Sequence, residues 1–240
     1  MDKPYCLIDQ PIGLGDIFFL QAVAKKYRDM GYEIIWPVRD DVLSWIPEYI
    51  SDISFCSINS DFPGKNHYRQ DCIHVYENFV YLGLNRAHVW FPKKNETIMS
   101  AKYSVVNMSW NEWHDGFRFN RNHIREKEIY YDVLGLEDDS EYVLKNDMCG
   151  IDIRRTEKLN DLKFSIPVVD LKVVSGYTLF DWCKVFENAK EIHTVHTGIC
   201  YILDKLTLKN PQYHMYQGLH DSDVQYIPFR KKPVWVGGRG

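Results

Sequence analysis

YCLIDQPIGLGDIFFLQAVAKKYRDMGYEIIWPV, residues 5–38, reads as strand, turn, helix and strand in succession. Tyr5 to Asp9 is a short apolar run closed by Pro11 and the glycines Gly13 and Gly15, the pattern of a buried strand. From Ile17 to Met30 the residues Leu20, Val23, Ala24 and Tyr27 recur at helical spacing with polar residues opposite, and Gly31 is a fitting stop. Tyr32 to Val38 returns to strand. Such a βαβ unit has a right-handed crossover and a parallel sheet.

A second junction of the same kind lies late in the chain. Thr194-Val195-His196-Thr197-Gly198 joins the apolar run Glu191 to Val195 to a helix marked by Ile199, Ile202, Leu203 and Leu206. Two glycine turns in matching positions predict an α/β fold of two Rossmann-like halves, with mainly parallel sheets facing a central cleft. The polar stretch Glu137 to Ser140 is the expected boundary, giving domains 1–138 and 139–240. In the first half the pattern predicts a short helix over Val42 to Ile50 and strands at Ile53 to Ile58, Cys72 to Tyr76 and Ser104 to Met108. An aromatic loop from Asn111 to Asn122 and a helix from His123 to Leu134, closed by Gly135, follow. In the second half strands are expected at Tyr142 to Lys145, Phe164 to Val168 and Leu171 to Val174. Thr178 with Asp181 three residues later forms a capping-box start for a helix carrying Trp182, Val185, Phe186 and Ala189.

Composition bounds the function classes. The 240 residues are 45% hydrophobic and 26% charged, as in ordinary globular proteins. No apolar run approaches the roughly 18 to 20 residues of a membrane helix, so a cytoplasmic protein without a membrane span is expected. The six cysteines are dispersed with no C-x-x-C, which points away from a disulfide framework or a zinc site. No H-E-x-x-H or similar spacing occurs, so no metal ligands are assigned. A net charge of -4 argues against a broad nucleic-acid-binding surface. Trp110, Trp113, Phe117 and Phe119 stand in a polar setting, where they either build core or stack on a sugar or base.

Gly13-Leu14-Gly15-Asp16-Ile17 resembles the Gly-x-Gly-Asp start of the ADP-heptose heptosyltransferases and their small viral or phage-type relatives, enzymes of the glycosyltransferase B (GT-B) architecture. Ala189 to Gly198 is similar to that family's late segment before the helix below the nucleotide diphosphate, except that His196 stands where the family usually carries Asp. The resemblance covers both ends of the chain and leaves the middle unmatched. It implies a metal-independent, inverting transfer of a sugar from a nucleotide sugar, with no separate cofactor.

The chemistry needs a base for the acceptor hydroxyl and a site for the diphosphate. Asp16 is the candidate base, although an aspartate at a helix start also serves as a cap. Gly13 and Gly15 are assigned to the acceptor side, where a bare backbone allows close approach, or simply to a tight turn. Asn146, Gly150, Thr194, His196, Thr197 and Gly198 are assigned to the donor, since unpaired N–H groups at a helix start accept phosphate. Only one of His193 and His196 is expected on the functional side, and His196 is favoured. Arg118 and Arg121, with Arg125, form a basic group beside aromatics that either neutralises a phosphate or is a solvated surface. The acceptor is a glycan or, in a phage-type enzyme, a hydroxylated DNA base. Two other readings stand beside this one. An NAD-dependent oxidoreductase is disfavoured by the missing third glycine of G-x-G-x-x-G, and a silent nucleotide-binding protein is compatible with the same fold.

Overall fold

The computed structural model describes residues 3–90, 97–149, 154–155, 159–210, 212–216 and 228–236. The chain divides into two units, Met1–Asn120 and Arg121–Gly240.

The first unit is built on a five-stranded sheet of order β3-β2-β1-β5-β4. Its strands are β1 (Tyr5–Asp9), β2 (Glu33–Val38), β3 (Ser54–Ser57), β4 (Ile73–Val75) and β5 (Phe79–Gly83). All pair in parallel except β4, which runs antiparallel to β5 at the edge. Between β1 and β2 the expected single helix is two, α1 (Leu14–Phe19) and α2 (Gln21–Asp29). Ile17, Phe18, Phe19 and Leu20 are four consecutive residues with no exposed surface. A straight helix buries only one stripe, and the break at Leu20 lets all four reach the core. The short α3 (Asp40–Leu43) and α4 (Ile46–Tyr49) link β2 to β3.

After β5 come α5 (Ala87–Trp90), α6 (Ile98–Ser104) and α7 (Trp113–Gly116). The strand expected at Ser104 to Met108 is instead the end of α6 and a turn. Thr97 Oγ1 accepts from the Ser100 N–H at 3.0 Å and starts that helix, and Asn107 at φ 52 turns the chain out of it. The aromatic loop holds only over residues 117–122, since Trp110–Glu112 form a 3₁₀ turn and Trp113–Gly116 are α7. Trp113 and Phe117 are completely buried, with Phe117 stacked on Phe18 at 5.0 Å and Trp113 beside Phe19 at 5.9 Å. They are core and take no part in stacking on a ligand.

That packing brings α7 against α2 so closely that a Cβ on Gly116 would overlap the Ala22 backbone, 2.5 Å from its nitrogen. A backbone neighbour cannot rotate away as a side chain does. Gly116→Ala is therefore expected to destabilise the chain by about 3 kcal/mol, the upper end of ordinary overpacking. Urea denaturation measures it, and an unchanged midpoint would show that α2 and α7 separate freely.

The second unit carries a wholly parallel sheet of order β12-β11-β10-β6-β9. Its strands are β6 (Val143–Asn146), β9 (Val168–Asp170), β10 (Glu191–Val195), β11 (Tyr213–Tyr216) and β12 (Val234–Val236), and β7 (Met148–Cys149) pairs with β8 (Arg154–Arg155) in a separate ribbon. One strand, β9, replaces the two expected between Phe164 and Val174. The helices are α8 (His123–Lys127), which runs on into a π-helical stretch over Glu128–Val133, then α9 (Cys183–Asn188) and α10 (Ile199–Lys205). The Asp181 carboxylate accepts the Thr178 N–H at 2.7 Å ahead of α9, as the capping box predicts.

The boundary falls before Arg121, earlier than the expected 138. The reason is a set of partners in the second half. Arg121 and Arg125 reach Glu187 and Asp181, so α8 belongs with α9 and not with the sheet that precedes it.

Candidate functional site

In the first unit the chain leaves β1 at Asp9 and enters a polar cluster. Gln10 is buried, its carbonyl accepting from Trp36 Nε1 at 2.9 Å and its Nε2 donating to the Ile12 carbonyl at 2.7 Å. Its Oε1 accepts from Lys102 Nζ at 2.7 Å. Lys102, on α6 between the buried Ala101 and Tyr103, has a side chain only 2% exposed and also donates to Asp16 Oδ1. A lysine is seldom buried to this degree unless paired, and Gln10 and Asp16 are its partners.

Asp16 itself stands in the first turn of α1 with its side chain 26% exposed. Gly13, just before that helix, adopts φ 84, and a Cβ there would lie 2.5 Å from Asp16 Oδ2. Glycine is thus demanded both by the backbone angle and by the carboxylate that folds over it. The result is a carboxylate fixed at one oxygen by an ammonium and still partly open to solvent, able to take a proton from a hydroxyl brought against it. Neither Lys102 nor Gln10 was among the sequence candidates. Lys102 belongs to no motif, and Asp16 lies 86 residues away from it.

In the second unit the structure assembles three of the predicted donor residues. Asn146 ends β6 as the register partner of Thr194 on β10. Its Nδ2 donates to Thr194 Oγ1 at 2.8 Å and to Thr197 Oγ1 at 3.4 Å, while its Oδ1 accepts from the Met148 N–H at 3.1 Å. Thr194 is fully buried and its hydroxyl donates to the Val195 carbonyl at 2.8 Å. It therefore positions Asn146 from within the sheet. Thr197 is partly exposed and, with Gly198, leads into α10. Gly150 lies outside the described residues.

His196 follows β10, its N–H donating to the Tyr216 carbonyl at 3.0 Å and its ring edge-on to Tyr201. Its Nε2 is shut off from solvent with no hydrogen-bond partner among the described residues. Burial pushes its pKa down from 6.5 to about 3. Above pH 6.5 the ring is neutral in both states and adds no pH dependence to stability. As pH falls below 6.5 the unfolded chain takes a proton that the folded chain refuses, and stability drops by about 1.4 kcal/mol per pH unit until roughly pH 3. Urea titrations at pH 7.5 and 5.0 should show a smaller loss in His196→Leu than in the parent chain. Equal losses would mean that His196 charges readily where it stands.

The basic group of the sequence reading is dissolved. Arg118 lies in the first unit, exposed, with its N–H donating to Gln21 Oε1 at 3.2 Å. Arg121 lies in the second and spends its guanidinium on two carboxylates. It meets Glu126 at 2.8 Å through Nε and Glu187 at 2.9 and 2.8 Å through Nη1 and Nη2. The hydrogen bonds it donates to Glu126 first, then Glu187, hold its pKa above the ordinary arginine value. Arg125 pairs with Asp181 at 3.1 and 3.0 Å and covers the Tyr177 ring. Arg121 is thus held on both faces of its fork by Glu126 and Glu187.

The architecture defines a class: two Rossmann-like α/β units with a glycine turn after the first strand of one and a Thr-Gly turn after the central strand of the other. The glycosyl transferase family 9 protein of Veillonella parvula DSM 2008 shares this fold with a TM-score of 0.56 at 10% identity, over 98% of this chain and 86% of that one. The iron-containing dodecameric glycosyltransferase TibC of enterotoxigenic E. coli H10407 matches with a TM-score of 0.52 at 10% identity, over 99% of this chain and 63% of TibC. No protein-family model matches the sequence, and no curated protein matches it. The resemblance carried by the Gly13-x-Gly15-Asp16 and Thr197-Gly198 motifs is borne out as a likeness of fold. Among the described residues, no helix is long and apolar enough to cross a membrane.

Proposed function

We propose that this chain is a glycosyltransferase that moves a sugar from a nucleoside diphosphate to an acceptor hydroxyl, with Asp16 as the base. The observation that carries the reading is the partly exposed Asp16 carboxylate, held by a buried lysine on a chain whose fold is that of glycosyltransferases. In the transfer the acceptor oxygen attacks the anomeric carbon, its proton passes to Asp16, and the bond from that carbon to the phosphate oxygen breaks. The nucleoside diphosphate leaves with the electron pair, and attack opposite the leaving group inverts the centre.

The second unit is assigned the donor. Asn146 holds Thr197 in place, and the Thr197 hydroxyl with the N–H groups that follow it supplies donors for phosphate oxygens. His196, kept neutral because its Nε2 is shut off from solvent, adds no charge there. The acceptor is assigned as a saccharide or lipid-linked glycan. Of the basic group, Arg121 and Arg125 are engaged with Glu126, Glu187 and Asp181, and the net charge of -4 opposes a polyanion.

Thermal shifts against ADP, UDP, GDP, CDP, their sugars and NAD test the reading, since a ligand that binds the folded state raises its melting temperature. A shift with one nucleoside diphosphate and its sugars supports it and names the donor. A shift with NAD alone overturns it in favour of an oxidoreductase.

A further inference from the structure

The sequence offers no metal-ligand spacing, yet the second sheet brings three donors together. Glu191 and His193 are two residues apart on β10 and so share one face. His214 on β11 is the register partner of His193, and the two rings stack at 4.5 Å with 10° between their planes. One ligand atom from each of Glu191, His193 and His214 lies within 4.8 Å of the others. Two nitrogens bound to a common tetrahedral ion stand about 3.3 Å apart, so small side-chain rotations close the set.

The surroundings are those of a built site. His193 Nδ1 is 2.9 Å from the Tyr216 hydroxyl, and its Nε2 is 3.3 Å from Glu191 Oε2. In the tautomer whose Nδ1 proton goes to Tyr216, the Nε2 lone pair is free to bind a cation beside the Glu191 carboxylate. A hydrogen-bond partner on the second ring nitrogen is also what orients most metal-bound histidines. Phe164 packs edge-on against His193 at 4.8 Å and shields that side. On the far side of His193 in the sheet stands Lys145, whose charge is compensated by Asp170 at 3.0 Å.

We propose that Glu191, His193 and His214 bind one divalent transition-metal ion of the zinc class, fastening β10 to β11. Two imidazoles and a carboxylate are a borderline donor set that suits zinc better than magnesium or calcium. The fourth position is left to water. The proposal is independent of the glycosyltransferase reading and concerns the sheet, not Asp16.

The test is equilibrium dialysis of the whole, untagged chain against Zn²⁺ with metal analysis, repeated with His193→Gln and His214→Gln. One ion per chain is expected, lost in both variants, with Tyr216→Phe weakening binding about tenfold as an outer-shell change does. Circular dichroism and melting without metal establish that the variants fold. Should they not, Glu191→Gln and the visible spectrum of the Co²⁺-loaded parent chain report the ligand set instead. Bands of a tetrahedral nitrogen and oxygen site, altered by Glu191→Gln, support the proposal. Retention of the ion in the histidine variants, a thiolate-type Co²⁺ spectrum, or no stoichiometric binding by the parent chain would overturn it.

Discussion

Asp16→Asn is expected to lower the rate of sugar transfer about 10²- to 10⁴-fold, the usual contribution of a general base, while nucleoside diphosphate binding survives. The amide keeps the shape of the carboxylate and an oxygen for Lys102 Nζ, so the polar cluster around Gln10 persists. What disappears is the capacity to accept a proton. The substitution also removes the negative charge beside Lys102, a lysine only 2% exposed, and some stability goes with it. Single-turnover rates and nucleotide affinity should therefore be measured well below the melting temperature of the variant. A rate within a few-fold of the parent chain would remove Asp16 from the mechanism and leave it as a helix-start residue. Loss of nucleotide binding together with the rate would point to misfolding.

Arg121→Met is expected to cost about 3–5 kcal/mol of stability, as breaking a buried ion pair does when one charge is left behind. Glu126 is almost completely buried, and both its oxygens face the Arg121 guanidinium. Methionine fills much of the space and answers neither oxygen. Glu187, more exposed, re-solvates at lower cost. Denaturant titration of the single variant and of Arg121→Met with Glu126→Leu measures the effect. The double variant should recover a good part of the loss, because an apolar pair replaces a buried ionic one at little net cost. Transfer per folded molecule should stay unchanged in both. A single variant as stable as the parent chain, with impaired transfer, would restore Arg121 to the acceptor role that the sequence suggested.

Features that depend on near neighbours can be read from the residues alone. Tyr5–Asp9 and Glu191–Val195 are strands to the residue, because a short apolar run between turn signals has few other ways to bury itself. The turn at Gly13, the helix stops at Gly31 and Gly135, and the Asp181 cap follow from local backbone needs. From these the α/β class and the two Rossmann-like halves were legible.

Everything else depends on partners distant in the chain. Lys102 acquires its meaning from Asp16, 86 residues away, and Arg121 from Glu187, 66 residues away. Neither separation leaves a trace in periodicity. Trp113 and Phe117 look like loop aromatics until Phe18 and Phe19 come to meet them. His193 and His214 become neighbours only when β10 and β11 pair in that register. Local patterning chooses an element because a residue's nearest partners are its own turn or strand. A buried charge, by contrast, takes whichever partner the packed chain delivers, and so its role is settled only once the chain has folded.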